Sequence, residues 1–185
     1  MTRNSDPVFS DDAVLLPREG WPSDSPLPAA AVRDHDPDAS PPEMRTVQGD
    51  TVFVPAARRT ELERFCAAHG IPLSRRPDVW GDLLEPFLDT TFTAADQAQT
   101  LDRLARAGLG AAEVADIRER VGPLMRAYNS VHWDWHHLGL ADLLDAAGGT
   151  LVPEHLRIGP QDRAAFHAWA MEIADRPTRT RVRAR

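Results

Sequence analysis

Lysine is absent from this 185-residue chain: all 21 basic residues are arginine. Such usage matches what GC-rich, actinobacterial-type genomes encode, so an arginine here stands where another organism would place lysine. Arginine enrichment is therefore no phosphate-binding signal in itself. Cysteine occurs once, as Cys66, which excludes an internal disulfide framework and a cysteine-based zinc site. No apolar run approaches the roughly 20 residues of a membrane span. Residues 1–7, soon followed by Asp11 and Asp12, hold no apolar signal-peptide core. The expectation is a soluble, cytoplasmic protein. Missing too are a Gly-rich phosphate loop, a dinucleotide fingerprint and a Gly-x-Ser-x-Gly elbow, and with them the enzyme classes built on those devices.

What is present is unevenly charged. Residues 1–43 hold nine acids and three arginines, whereas residues 176–185 hold five arginines and no acid, within a net charge of −7. Eight of the 16 prolines precede residue 43, spaced so that no helix fits between them. This organisation predicts an irregular or disordered acidic segment over 1–43, a folded domain over 44–175 and a flexible basic tail over 176–185. Within the first segment, Trp21 and Val14-Leu15-Leu16 are apolar islands, either incidental or a docking element. In the tail, Arg179, Arg181, Arg183 and Arg185 suit weak, salt-sensitive nucleic-acid contact. The acidic body opposes that, and the acidic first segment is an equally natural partner.

Periodicity predicts a mainly α fold: a single helical-bundle-like domain of about six helices with a small N-terminal β-hairpin at 45–54. Gly49-Asp50 suits the hairpin loop, with Val47 facing Val52. A helix is read from Thr60, boxed by Glu63, with Leu62, Phe65 and Cys66 inward. A second follows Pro77-Asp78 and buries Trp80, Leu83 and Leu84, while Pro86 forces a kink or an end. A third is capped by Thr93 with Asp96, and a fourth from Ala111 keeps its stripe through Gly122-Pro123. Asn129-Ser130 is read as the cap of a helix reaching Gly148-Gly149, and Gly159-Pro160 opens the last.

The segment His132-Trp133-Asp134-Trp135-His136-His137 gathers three of the seven histidines and two of the five tryptophans. On a helix, His132 and His136 would lie one turn apart and could grip one divalent ion such as Zn²⁺. A protease of the His-Glu-x-x-His type is excluded, because Trp133 occupies the general-base position. Asp134 would lie on the opposite side, leaving His69, Glu85, Asp89 and His167 as candidates for a third ligand. The same residues also read as packing, with Trp133, Leu140, Leu143, Leu144 and Ala147 forming a helix stripe. Other features have plain structural readings: Cys66 as a buried thiol, and Asp82, Glu85 and Asp89 as a solvated helix back. Arg58-Arg59 and Arg75-Arg76 come without a phosphate loop.

With no complete catalytic set, the sequence points to a regulator, adaptor or inhibitor-like factor that binds another protein. Trp21, Trp133, Trp135 and His137 are the expected contact residues, since aromatics dominate interface energetics. The alternatives are a metal-dependent helical-bundle enzyme using His132 and His136, and a nucleic-acid accessory protein using the arginine tail.

Overall fold

A computed structural model describes residues 6–16 and 26–177 of the chain. The chain divides into two compact units, Met1–Arg76 and Pro77–Arg185. Six α-helices occur among the described residues, but so do two three-stranded antiparallel sheets. The expected single helical bundle with one small hairpin is therefore corrected to a mixed fold with strands at its N-terminal side.

In the first unit, β1 (Val8–Phe9), β2 (Ala13–Leu15) and β3 (Leu27–Pro28) form one sheet in that order. The strands β4 (Val32–Asp36), β5 (Glu43–Thr46) and β6 (Thr51–Phe53) form the other. The prolines that excluded helix do not exclude such strands. Pro28 ends β3, Pro7 precedes β1, and Pro37, Pro41 and Pro42 lie between β4 and β5. A missing N–H at a strand end costs no ladder bond. These strands are too short for period-two alternation to register in sequence. The β5–β6 register pairs Met44 with Val52 and Arg45 with Thr51, so the expected Val47–Val52 pair is not formed. Val47 sits in an exposed turn in which Gly49, at φ 96°, takes the left-handed conformation.

Helix α1 (Arg59–Ala68) supplies Leu62, Phe65 and Cys66 to a core completed by Val14, Leu27, Val32, Met44, Val52 and Val54. It starts before Thr60, out of a short 3-10 turn over Ala56–Arg58, and Arg58 at its N-cap offers no side-chain acceptor. Burial pushes the Cys66 thiol up to about 12, so it is a packed group and not an activated nucleophile.

Beside this apolar core, the second sheet carries a charged one. Cross-strand pairing sets Asp34 opposite Arg45 and Asp36 opposite Glu43, and all four residues are buried. The Arg45 guanidinium, only 2% exposed, donates to Asp34, to Glu43 at 3.3 Å and to the Ser74 carbonyl. Arg76 reaches Glu43 at 2.8 Å and the Thr51 hydroxyl at 3.2 Å. Burial outweighs these arginines and raises the Glu43 carboxyl above its ordinary value. Residues 72–74 run beside β4, with His35 N–H donating to Pro72 at 3.1 Å and Ser74 N–H to His35 at 2.9 Å.

In the second unit, α2 (Val79–Leu84) is a short central helix. Around it lie α3 (Ala94–Arg106), α4 (Ala111–His132) and α6 (Arg163–Ala174), and α5 (Leu140–Gly148) packs on α4 and α6. Trp80 is 1% exposed and donates its indole N–H to Ala170 of α6 at 2.9 Å. So short a helix depends on its ends. The Asp78 side chain accepts from Gly81 N–H at the start. At the other end, Arg118 of α4 donates to the Leu83 and Asp82 carbonyls, both at 3.0 Å. Helix α2 stops at Leu84, before a 3-10 turn containing Pro86. Thr93 and Asp96 form the expected capping box of α3. Helix α4 passes through Pro123 unbroken. No helix of the described residues is long and apolar enough to cross a membrane.

Arg45 gives the fold a direct test. Arg45→Ala leaves Asp34 and Glu43 buried beside fewer positive charges and is expected to cost about 3–5 kcal/mol. Equilibrium urea unfolding measures this as a lowered midpoint. Arg45→Lys is expected to recover only part of the loss, because one ammonium cannot span three acceptors.

Candidate functional site

Asn129 is where the second unit departs from its expected helix pattern. Asn129-Ser130 does not cap a new helix; α4 runs on to His132, and α5 begins only at Leu140. Between them the chain turns at Trp133, whose φ of 54° is left-handed. The Asn129 side chain explains the turn. Its amide donates to the Phe87 carbonyl at 2.9 Å and to the Asp134 carbonyl at 3.1 Å, while its oxygen accepts from Asp134 N–H at 2.8 Å. Trp133 N–H closes the helix onto the Asn129 carbonyl at 2.9 Å.

Asp134 continues the work. Its Oδ1 accepts from the backbone N–H of His136 at 3.0 Å and of His137 at 3.2 Å. Burial pushes the Asp134 carboxyl up, but these two donors outweigh it and hold the group below the usual range. Its backbone carbonyl also accepts from Asp89 N–H at 3.2 Å. At the far end, Leu138 is buried. Gly139 N–H donates at 2.8 Å to Asp142, which boxes the start of α5. The loop 133–139 is thus tied at both ends and in the middle.

Its tryptophans are not tied down. Trp133 is 64% exposed and Trp135 57%, with Val131 exposed on the last turn of α4. The packed-stripe reading of Trp133 is corrected: Leu140, Leu143 and Ala147 are buried, but the left-handed turn takes Trp133 out of helical phase with them. His137 is half-buried, and its Nε2 donates to Asp78 Oδ2 at 2.6 Å. Trp21 lies outside the described residues, as do Arg179, Arg181, Arg183 and Arg185.

The two histidines read as a metal pair belong to different elements. His132 is the last residue of α4 and stacks on Tyr128 with centroids 4.2 Å apart, whereas His136 is in the loop. The one-turn spacing that motivated the pair is absent. Of the third-ligand candidates, His69 lies in the first unit, where Nε2 donates to the Asp11 carbonyl at 2.7 Å, and His167 is buried on α6. Among the described residues, no three His, Cys, Asp or Glu side chains are grouped as a metal site.

Beside the loop opens a cleft of about 510 Å³ within the second unit. Its walls come from α2 and the residues that flank it (Asp78, Asp82, Glu85), from α3 (Arg103, Arg106) and from the loop (His136, His137). Leu88, Phe92 and Ala107 add apolar surface. The charges are mostly engaged with one another: Arg103 holds Asp82 at 2.7 Å, and His137 holds Asp78. Asp82 is therefore no solvated helix back. The adjacent arginines that come without a phosphate loop are likewise committed, Arg58 to Glu61, Arg59 and Arg75 to Asp38, and Arg76 to Glu43.

Sequence reasoning missed Asn129 and Asp78 as parts of this site. Asp78 and His137 are 59 positions apart, so no local pattern links them. Asn129→Ala removes three hydrogen bonds and strands the Phe87 carbonyl. The expected loss is about 1–3 kcal/mol, seen in thermal unfolding together with faster amide exchange over 133–137. Comparison of this chain with family models, with curated proteins and with solved structures finds no match.

Proposed function

We propose that this protein acts by binding another protein through the loop 133–137, as a regulator, adaptor or inhibitor-like factor. The observation that carries the reading is Trp133. A large, exposed side chain occupies a helix C-cap with φ of 54°, where glycine is the usual residue. The left-handed conformation costs a non-glycine residue about 1–2 kcal/mol. An exposed indole recovers little of that by burial, so Trp133 sits there at a cost in stability, and such outliers cluster at functional sites.

Supporting features agree. Trp135 and Val131 extend the exposed patch, and tryptophan is among the residues that most often carry binding energy. The loop is already fixed by Asn129 and Asp134, which lowers the ordering cost of association. The neighbouring cleft offers a recess for a partner side chain, and its charged groups mostly serve one another.

The test separates stability from binding. Trp133→Gly is expected to leave the unfolding midpoint unchanged or raised, since glycine suits the turn. The same change, alone or with Trp135→Ala, is expected to weaken partner capture by at least about 2 kcal/mol, roughly thirty-fold in Kd. Affinity capture from source-cell extract, compared between wild type and variants, reads this out. Identical capture by wild type and double variant would end the proposal.

A further inference from the structure

The loop that carries the exposed tryptophans is joined to α2 through one ionisable side chain, the His137 imidazole. We infer that the His137–Asp78 contact is a pH-sensitive latch on this loop, holding it firmly under mildly acidic conditions and loosening it as pH rises. The consequence for partner binding rests on the docking reading of the same loop, but the latch itself is a property of the isolated chain.

Geometry supplies the argument. His137 Nε2 lies 2.6 Å from Asp78 Oδ2, within the range of a charge-assisted bond. Asp78 is itself anchored, because its other oxygen accepts from Gly81 N–H at 2.8 Å. The loop is therefore tied to the first turn of α2, not to a free side chain. Its other ties involve no imidazole ring. They are the Asn129 amide and carbonyl, the backbone N–H of Asp89, the Asp134 carboxylate, which is held below the usual carboxylate range, and Asp142, which accepts from Gly139 N–H. His136 contributes its backbone N–H to Asp134, while its ring lines the cleft.

The charges around His137 favour its protonated form. The Asp78 hydrogen bond is the main cause that raises it above an ordinary histidine; burial works against this, and Asp142 of α5 and Asp134 of the loop add to the rise. Also lining the cleft are Asp82 of α2, Glu85 just after its end, and Arg103 and Arg106 of α3; Arg103 is neutralised by Asp82. The sign follows from linkage. With the folded-state value raised, the contact's stabilisation is complete below the unfolded value of about 6.5 and is lost as pH rises through the folded one. Neutral histidine can still donate a hydrogen bond, so the loop slackens without detaching. Both partners are partly exposed, so salt weakens the latch.

The experiment uses the full chain without any partner. Imidazole NMR follows His137, and hydrogen exchange, corrected for intrinsic pH dependence, follows amides 133–138 from pH 5 to 9. The expected result is a His137 midpoint above that of an ordinary histidine, with loop protection falling several-fold over the same interval. Asp78→Asn keeps an N-cap acceptor and is expected to return His137 toward its ordinary value and to flatten the exchange profile. His137→Gln serves as a second variant that cannot titrate, and its loop protection is expected to be constant with pH. A wild-type His137 midpoint at or below the ordinary value, or loop protection that ignores that midpoint, overturns the latch. Neither outcome depends on whether a partner is captured, so the failure of the docking reading would be seen separately.

Discussion

One buried amide decides the shape of the candidate site. Asn129 is only 7% exposed, so its donors and acceptor are satisfied chiefly by neighbouring chain. They are satisfied by the Phe87 carbonyl and by both backbone groups of Asp134. That arrangement requires residue 134 to fold back over the end of α4, which in turn requires the left-handed turn at Trp133. Aspartate at position 129 would lose the donor, and leucine would satisfy neither group. The exposed position of the indoles, the alignment of His137 with α2 and the outer wall of the cleft all descend from this hydrogen-bonding requirement.

Much of the second unit was legible because its signals are local. The Thr93–Asp96 box, Pro86 as a terminator and the stripe that carries α4 past Pro123 each need only a few neighbouring residues. The expected one-turn helical spacing of His132 and His136 is absent for a related reason. Helical phase was carried across a point where a side chain from the preceding turn captures the backbone, and asparagine serves equally as a helix cap and as a helix stop. The first unit was less legible. Its strands run from two to five residues, too short to show alternation, and β4 and β5 bury aspartate, glutamate and arginine. A hydropathy pattern reads such residues as surface. Only cross-strand pairing, which joins positions 34 and 45, shows that Asp34 and Arg45 meet across the strands.

The two units thus handle buried polarity in different ways. In the second, single groups such as the Trp80 indole and the Arg118 guanidinium are matched to backbone carbonyls of α6 and α2. In the first, several full charges share one network. Networks of that kind add little net stability relative to an apolar replacement but penalise any arrangement that breaks them. For a sheet of short strands, whose register is weakly specified by hydrophobic alternation, the pairing of Asp34 with Arg45 supplies a discriminating contact. A slip by one residue would separate them.

The run of chain at 72–76 looks, in sequence, like a connector between the end of α1 and the start of α2. It is chemically part of the first unit, since it lies along β4, receives the Arg45 guanidinium on the Ser74 carbonyl and returns Arg76 to Glu43. A fragment cut after Ile71 would bare one flank of the sheet and take a counter-ion from a buried carboxylate, leaving an open edge that invites strand capture between copies. The natural point of separation is therefore the Arg76–Pro77 bond, and a first unit produced alone should carry Arg76 as its final structural residue.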